Sequence, residues 1–158
     1  MAEATETMVR RLEAIGAAVE SERPGEAFFA VDGLRGIHGG DRDGVLAVAR
    51  EAIGPGPRIG TAPNRFAAYA AAWKRTSVSE SELHLFLAPL SVSILPLRLD
   101  APGREAQELV LTLQRLGIET LQGLSRISAD RVADRFGPLG QRARRLAGGR
   151  DDPLRPRA

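Results

Sequence analysis

Residues 28–72 read FFAVDGLRGIHGGDRDGVLAVAREAIGPGPRIGTAPNRFAAYAAA, and the rest of the chain is organised around them. Two short apolar runs, 27–31 and 34–37, flank Asp32-Gly33. An Asp-Gly pair between such runs predicts a β-hairpin, because both residues tolerate positive φ. Gly39-Gly40 closes that unit. Asp41 or Asp43 then caps a helix over 44–53, with Val45, Val48, Ala49 and Ala52 facing inward. Gly54-Pro55-Gly56-Pro57 stops it, 58–61 form a brief strand, and Pro63 opens a helix with Phe66, Ala67, Ala70 and Trp73 on one face. Upstream, Met8, Leu12, Ile15 and Val19 recur at helical spacing, which predicts a helix over 5–20. The order α-β-β-α-β-α predicts an α+β fold, a small sheet with packed helices.

Downstream, the alternation of Leu83, Leu85 and Leu87 predicts another strand. Residues 88–95 read as a short helical or turn segment. Pro102-Gly103 marks a domain boundary within 98–104. Helices follow at 105–116, 120–126, 128–135 and 138–147, with Thr120 and Ser128 as N-caps. The end of the chain has no periodicity and is expected to be disordered. Three regions result: an α/β domain over 1–97, an all-helical domain over 98–149 and a tail over 150–158.

The chain has 158 residues, no cysteine, and 43% hydrophobic but only 4% aromatic side chains. A disulfide framework and thiolate metal sites are thereby excluded. No run approaches the roughly 18 apolar residues of a membrane helix, and the first residues lack a signal-peptide core. A soluble, cytoplasmic protein is expected, with no membrane partner. The net charge of +2 hides an asymmetry. Residues 1–100 hold 11 basic and 13 acidic side chains, and residues 101–158 hold 11 and 7. Five arginines and no acid lie between Arg135 and Arg150, which makes a polyanion such as DNA the partner to consider.

Few residues offer catalytic chemistry. Asp32 is a candidate metal-binding carboxylate, but its neighbour Gly33 has no side chain, and two-metal catalysis needs converging carboxylates. Asp before Gly in a hairpin is usually turn chemistry. His38 and His84 have no ligand or triad partners at useful spacing. Phe136-Gly137-Pro138-Leu139-Gly140 opening a helix that carries Arg142, Arg144 and Arg145 is richer. A glycine turn at a helix start presents N–H groups to an anion, and nearby arginines hold adjacent phosphates. A solvated arginine face is the plainer alternative. Glu82-Leu83-His84-Leu85-Phe86 resembles the short peptide with which many polymerases engage a sliding clamp, but its alternating leucines are more simply a strand burying one face.

With these residues in view, the chain resembles a Y-family (translesion) DNA polymerase, closest to the inactive accessory, ImuB-type branch. FFAVDGLRGIHG resembles the palm hairpin, RIGTAPNRFAAYAAA the following palm strand and helix, and FLAPLSVSILPL with LQRLGIETLQGLSRISADRVADRFGPLGQRARRLAGG the palm exit and helix-hairpin-helix thumb. Together they cover residues 5 to about 150. The departures are as informative. Gly33 replaces the second carboxylate of the hairpin, Arg65 stands where active members have Lys, and Ala101-Pro102-Gly103-Arg104 lacks the usual Gly-x-Gly. Nothing in this sequence corresponds to the first palm strand, the fingers or the little finger.

The resemblance implies a partial palm plus thumb that is not an enzyme, retains Asp32 only as a vestige, and needs no cofactor. It implies a DNA-binding accessory factor in translesion synthesis and DNA repair. Weak backbone contacts would come from Gly137, Gly140, Arg142, Arg144 and Arg145, and a catalytic translesion polymerase or the sliding clamp would be the protein partner. The alternatives are a protein-interaction module, built on an open strand edge or a homodimer without direct DNA binding, and a decayed polymerase fragment.

Overall fold

The computed structural model describes residues 1–36, 38 and 40–157. The fold is α+β, mostly helical, with one small antiparallel sheet. The chain forms two compact units, Met1–Ile59 with Pro153–Ala158, and Gly60–Asp152.

In the first unit, α1 (Ala2–Ala14) buries Thr5, Val9 and Leu12. It stops earlier than its apolar stripe suggests, because Gly16 adopts φ 101°, a conformation open to glycine. The chain that follows is therefore extended. Strand β1 (Val19–Glu20) pairs antiparallel with β2 (Phe28–Phe29), Val19 opposite Phe29. Inside the connection, Ser21 Oγ donates to the Glu26 carbonyl at 2.7 Å, and Gly25 N–H donates to Thr5 Oγ1 at 2.6 Å.

The hairpin thus lies one step upstream of its expected place. Asp32–Leu34 is a 3-10 turn, in which Leu34 N–H donates to the Val31 carbonyl at 2.9 Å. His38 N–H then donates to Leu34 O at 3.0 Å, so this segment coils where a second strand was expected. From this turn Leu34 enters the core. Ile37 and Gly39 of the expected unit lie outside the described residues. Next, α2 (Arg42–Ile53) is capped by Asp41, whose Oδ1 accepts the Gly44 N–H at 2.7 Å. Val9, Leu12, Ala17, Val19, Leu34, Val45 and Ala49 form the core of this unit.

The tail is ordered here, against expectation. Arg157 N–H donates to the Val19 carbonyl at 2.8 Å, and Arg155 N–H to Glu20 Oε2 at 2.6 Å. The Arg157 guanidinium bridges two acids of α1, reaching Glu13 at 2.7 and 3.0 Å and Glu6 at 3.0 and 3.2 Å. Periodicity could not reveal this order, because every partner is distant in sequence.

Hydrogen bonds from Arg157 hold the Glu6 and Glu13 carboxyls below their ordinary range. A lowered folded pKa means the tail stays docked above the ordinary carboxylate pKa, about 4.5, and is released as pH falls through the lowered values. The groups are exposed, so salt should weaken the docking at every pH. The Arg157 Nε–Hε resonance should therefore move to its free position as pH drops below about 4.5, and should start there in Glu6→Gln/Glu13→Gln. A resonance indifferent to both would contradict the interaction.

The second unit begins with a single parallel bridge, Thr61 to Ser77, where residues 58–61 were expected to form a strand. Helix α3 (Arg65–Trp73) is capped by Asn64, whose Oδ1 accepts the Ala67 N–H at 2.8 Å. Pro63 therefore precedes the cap rather than opening the helix. Phe66, Ala67, Ala70 and Ala71 are buried, but Trp73 is 57% exposed beside Tyr69.

The expected strand at 83–87 is a helix, α4 (Leu83–Leu87), preceded by a 3-10 turn over Glu80–Glu82. Two signals oppose each other here. Alternating leucines suggest a strand, whereas Ser79 and Glu82 form a reciprocal capping box. Helical geometry wins by burying Leu83 and Leu87 one turn apart and leaving Leu85 83% exposed.

A 3-10 segment, Val92–Leu97, leads to α5 (Gly103–Arg115), α6 (Leu121–Ser125) and α7 (Ala129–Ala147). Thr120 caps α6 through the Gly123 N–H, at 3.1 Å, and Ser128 caps α7 through Arg131 N–H, at 3.3 Å, as read from sequence. One core runs from Phe66 on α3 through Leu87, Leu95, Leu99 and Leu113 to Leu146 on α7. The segment 98–104 therefore lies inside a unit, not between two: Leu99 is fully buried in that shared core. Each such leucine contributes roughly 1.5–3 kcal/mol by leaving water.

Candidate nucleic-acid interface

Helix α7 packs against both α5 and α6, and the turn that sequence singled out divides α7. Gly137 adopts φ 65°, ψ −156°, a region essentially reserved for glycine. Pro138 follows, where its preset φ suits a new helical start. Gly140 is buried, and a Cβ there would overlap Cβ of Phe136 across the kink. Each glycine therefore has a backbone reason to be glycine. Together they give a short, tight turn between the two halves of α7.

The three arginines beyond the turn are not equivalent. Arg142 donates from Nη1 to the Leu99 carbonyl, and Arg144 from Nε to the Ile127 carbonyl at 2.7 Å. Both are half-buried and fasten α7 to neighbouring segments, while Arg145 is exposed. A guanidinium has five donors, so Arg142 and Arg144 retain capacity for phosphate. Arg126, Arg131 and Arg135 add further exposed positive charge along the same helices.

Sequence reasoning missed two arginines. Arg98 and Arg150 join Arg142 and Arg145 around a cleft of about 110 Å³, together with Asp100, Asp151 and Asp152. Arg98 is buried, 2% exposed. Its place at the end of the 3-10 segment gives no local signal, and Arg150 fell within the tail expected to be disordered. Behind the cleft, Asp151 is tied into the fold: Oδ2 accepts the Phe66 N–H at 2.9 Å, and Oδ1 lies 3.4 Å from Arg65 Nη2. Arg65 and Asp151 side chains are each only 4% exposed.

No family model and no curated protein matches this chain.

Asp32 belongs to the first unit, whereas these arginines all belong to the second. It is exposed and paired with Arg35 at 3.3 Å. Among the described residues, no group of three or more His, Cys, Asp or Glu side chains could hold a metal. His38 Nε2 hydrogen-bonds the Ile15 carbonyl at 2.6 Å, and His84 is exposed on α4. No described helix is long and apolar enough to cross a membrane.

Proposed function

We propose that this chain is a non-catalytic, Y-family-polymerase-like accessory factor that binds DNA backbone in translesion synthesis and DNA repair. The observation that carries the reading is the glycine hinge at Gly137, which opens a helical segment bearing Arg142, Arg144 and Arg145. A helix start attracts phosphate through its dipole and N–H groups, and the arginines reach neighbouring phosphates. Such contacts position DNA without reading its sequence. The absence of catalysis rests on Gly33 beside Asp32 and on the pairing of Asp32 with Arg35.

In this reading a catalytic translesion polymerase supplies the chemistry. The sliding clamp is the other partner, for which α4 offers Leu85 and part of Phe86 but keeps Leu83 in the core. The expected result is measurable binding to primer–template DNA at low salt with no sequence preference. No template-dependent synthesis should occur with Mg²⁺ or Mn²⁺, and extension of the primer would overturn the non-catalytic part.

A protein-interaction role without DNA is the second reading, favoured by the exposed Trp73 beside Tyr69, since Trp and Tyr dominate interface energetics. It requires a mass that rises with concentration, or a partner that no longer binds Trp73→Ala, together with no DNA affinity.

A further inference from the structure

The cleft on the Gly60–Asp152 unit carries an uncompensated positive charge. Arg142 and Arg145 stand one helical turn apart on α7, and Arg98 and Arg150 complete the basic lining. Two of the aspartates there face Arg65 from behind: Asp151 at 3.4 Å and Asp100 at 3.8 Å. Asp151 is further occupied by the N–H groups of Phe66 and Asp152, at 2.9 and 2.8 Å. Even with Arg65 and Arg98 both set against Asp100 and Asp151, Arg142, Arg145 and Arg150 face Asp152 alone, a surplus of two. Arg145 and Arg150 are exposed and make no ion pair among the described residues. The C-terminal end of α7 contributes about half a negative charge, less than the surplus of two.

Size narrows the ligand. At about 110 Å³ the cleft is far below the roughly 300–1,000 Å³ of sites that enclose whole ligands. It suits one compact anion, and planar guanidiniums match phosphate oxygens in pairs. We infer that this cleft binds a single phosphate group, held chiefly by Arg142, Arg145 and Arg150. The site shares Arg142 and Arg145 with the proposed DNA contact, but it is argued from the cleft lining and does not require DNA binding at the Gly137 turn.

The test is titration of the isotope-labelled full chain with inorganic phosphate at constant ionic strength, read on the arginine Nε–Hε resonances. Saturable shifts at Arg142, Arg145 and Arg150 are expected. Arg145→Ala and Arg150→Ala, which remove no internal hydrogen bond of the side chain, should each weaken binding about tenfold. Arg115→Ala, on exposed α5 surface, should not. Two oligonucleotides differing only in a 5′-phosphate then name the source. Preferential displacement by the phosphorylated one assigns a strand end, equal displacement assigns the backbone, and displacement by neither assigns a free phosphate or small ester. Shifts that do not saturate, that spread equally to Arg115, or that survive Arg145→Ala unchanged would overturn the inference.

Discussion

Asp151→Ala should lower the stability of the Gly60–Asp152 unit by about 3–5 kcal/mol, the usual cost of removing one partner from a buried ion pair. The side chains of Arg65 and Asp151 are both almost wholly buried, and the second carboxylate near Arg65, Asp100, is more distant and half-exposed. The change also strips the Phe66 N–H, in the first turn of α3, of its acceptor. Asp151→Asn keeps an acceptor but not the charge, so its cost should be smaller. Arg65→Met combined with Asp151→Ala should recover much of the stability, because the penalty comes from a stranded charge. Urea denaturation of the four proteins measures this. A change below about 1 kcal/mol for Asp151→Ala would show that the end of the chain is not part of the folded unit.

Gly140→Ala is expected to cost about 3 kcal/mol, at the upper end for overpacking. The added methyl would overlap Phe136 Cβ, an atom fastened directly to the backbone, with Val132 Cγ1 only 3.2 Å away. Neither can swing aside as the end of a flexible side chain would. The two halves of α7 must open instead, which moves Arg142 and Arg144 off the Leu99 and Ile127 carbonyls. Gly137→Ala has open space around it, so its cost comes from φ 65° alone, roughly 1–3 kcal/mol. DNA affinity should fall more in Gly140→Ala than stability alone explains. Thermal denaturation and DNA titration of one preparation separate the two effects. Wild-type stability in Gly140→Ala would mean the kink is wider than described.

The features legible in the sequence were those with local chemistry. Asp41, Thr120 and Ser128 announce helix starts because the capping bond closes within three residues. Gly137 and Gly140 announce the α7 turn because only glycine serves there. The misreadings share a cause as well. Asp32-Gly33 is a turn, but whether it joins two strands depends on which segment pairs with Phe28–Phe29, and that segment is Val19–Glu20. Leu83, Leu85 and Leu87 fit either period, and the decision came from Ser79 and Glu82 outside the run. Asp151 and Arg157 owe their order to partners 86 and 144 residues away, out of reach of any window. The arginine cleft was missed for the same reason, since 98, 142, 145 and 150 meet only after folding.

The central claim, that the second half of α7 grips the DNA backbone, is tested most directly by fluorescence anisotropy with labelled primer–template DNA across a salt series. Wild type is compared with Arg142→Gln/Arg144→Gln/Arg145→Gln, in which Arg144→Gln places an amide donor where Arg144 Nε meets the Ile127 carbonyl, and the fold of the variant is checked by circular dichroism. Backbone binding predicts affinity falling linearly in log–log with salt, and a slope shallower in the variant by about 0.9 for each phosphate it no longer neutralises. No binding at low salt, or a slope unchanged in the folded variant, would contradict it.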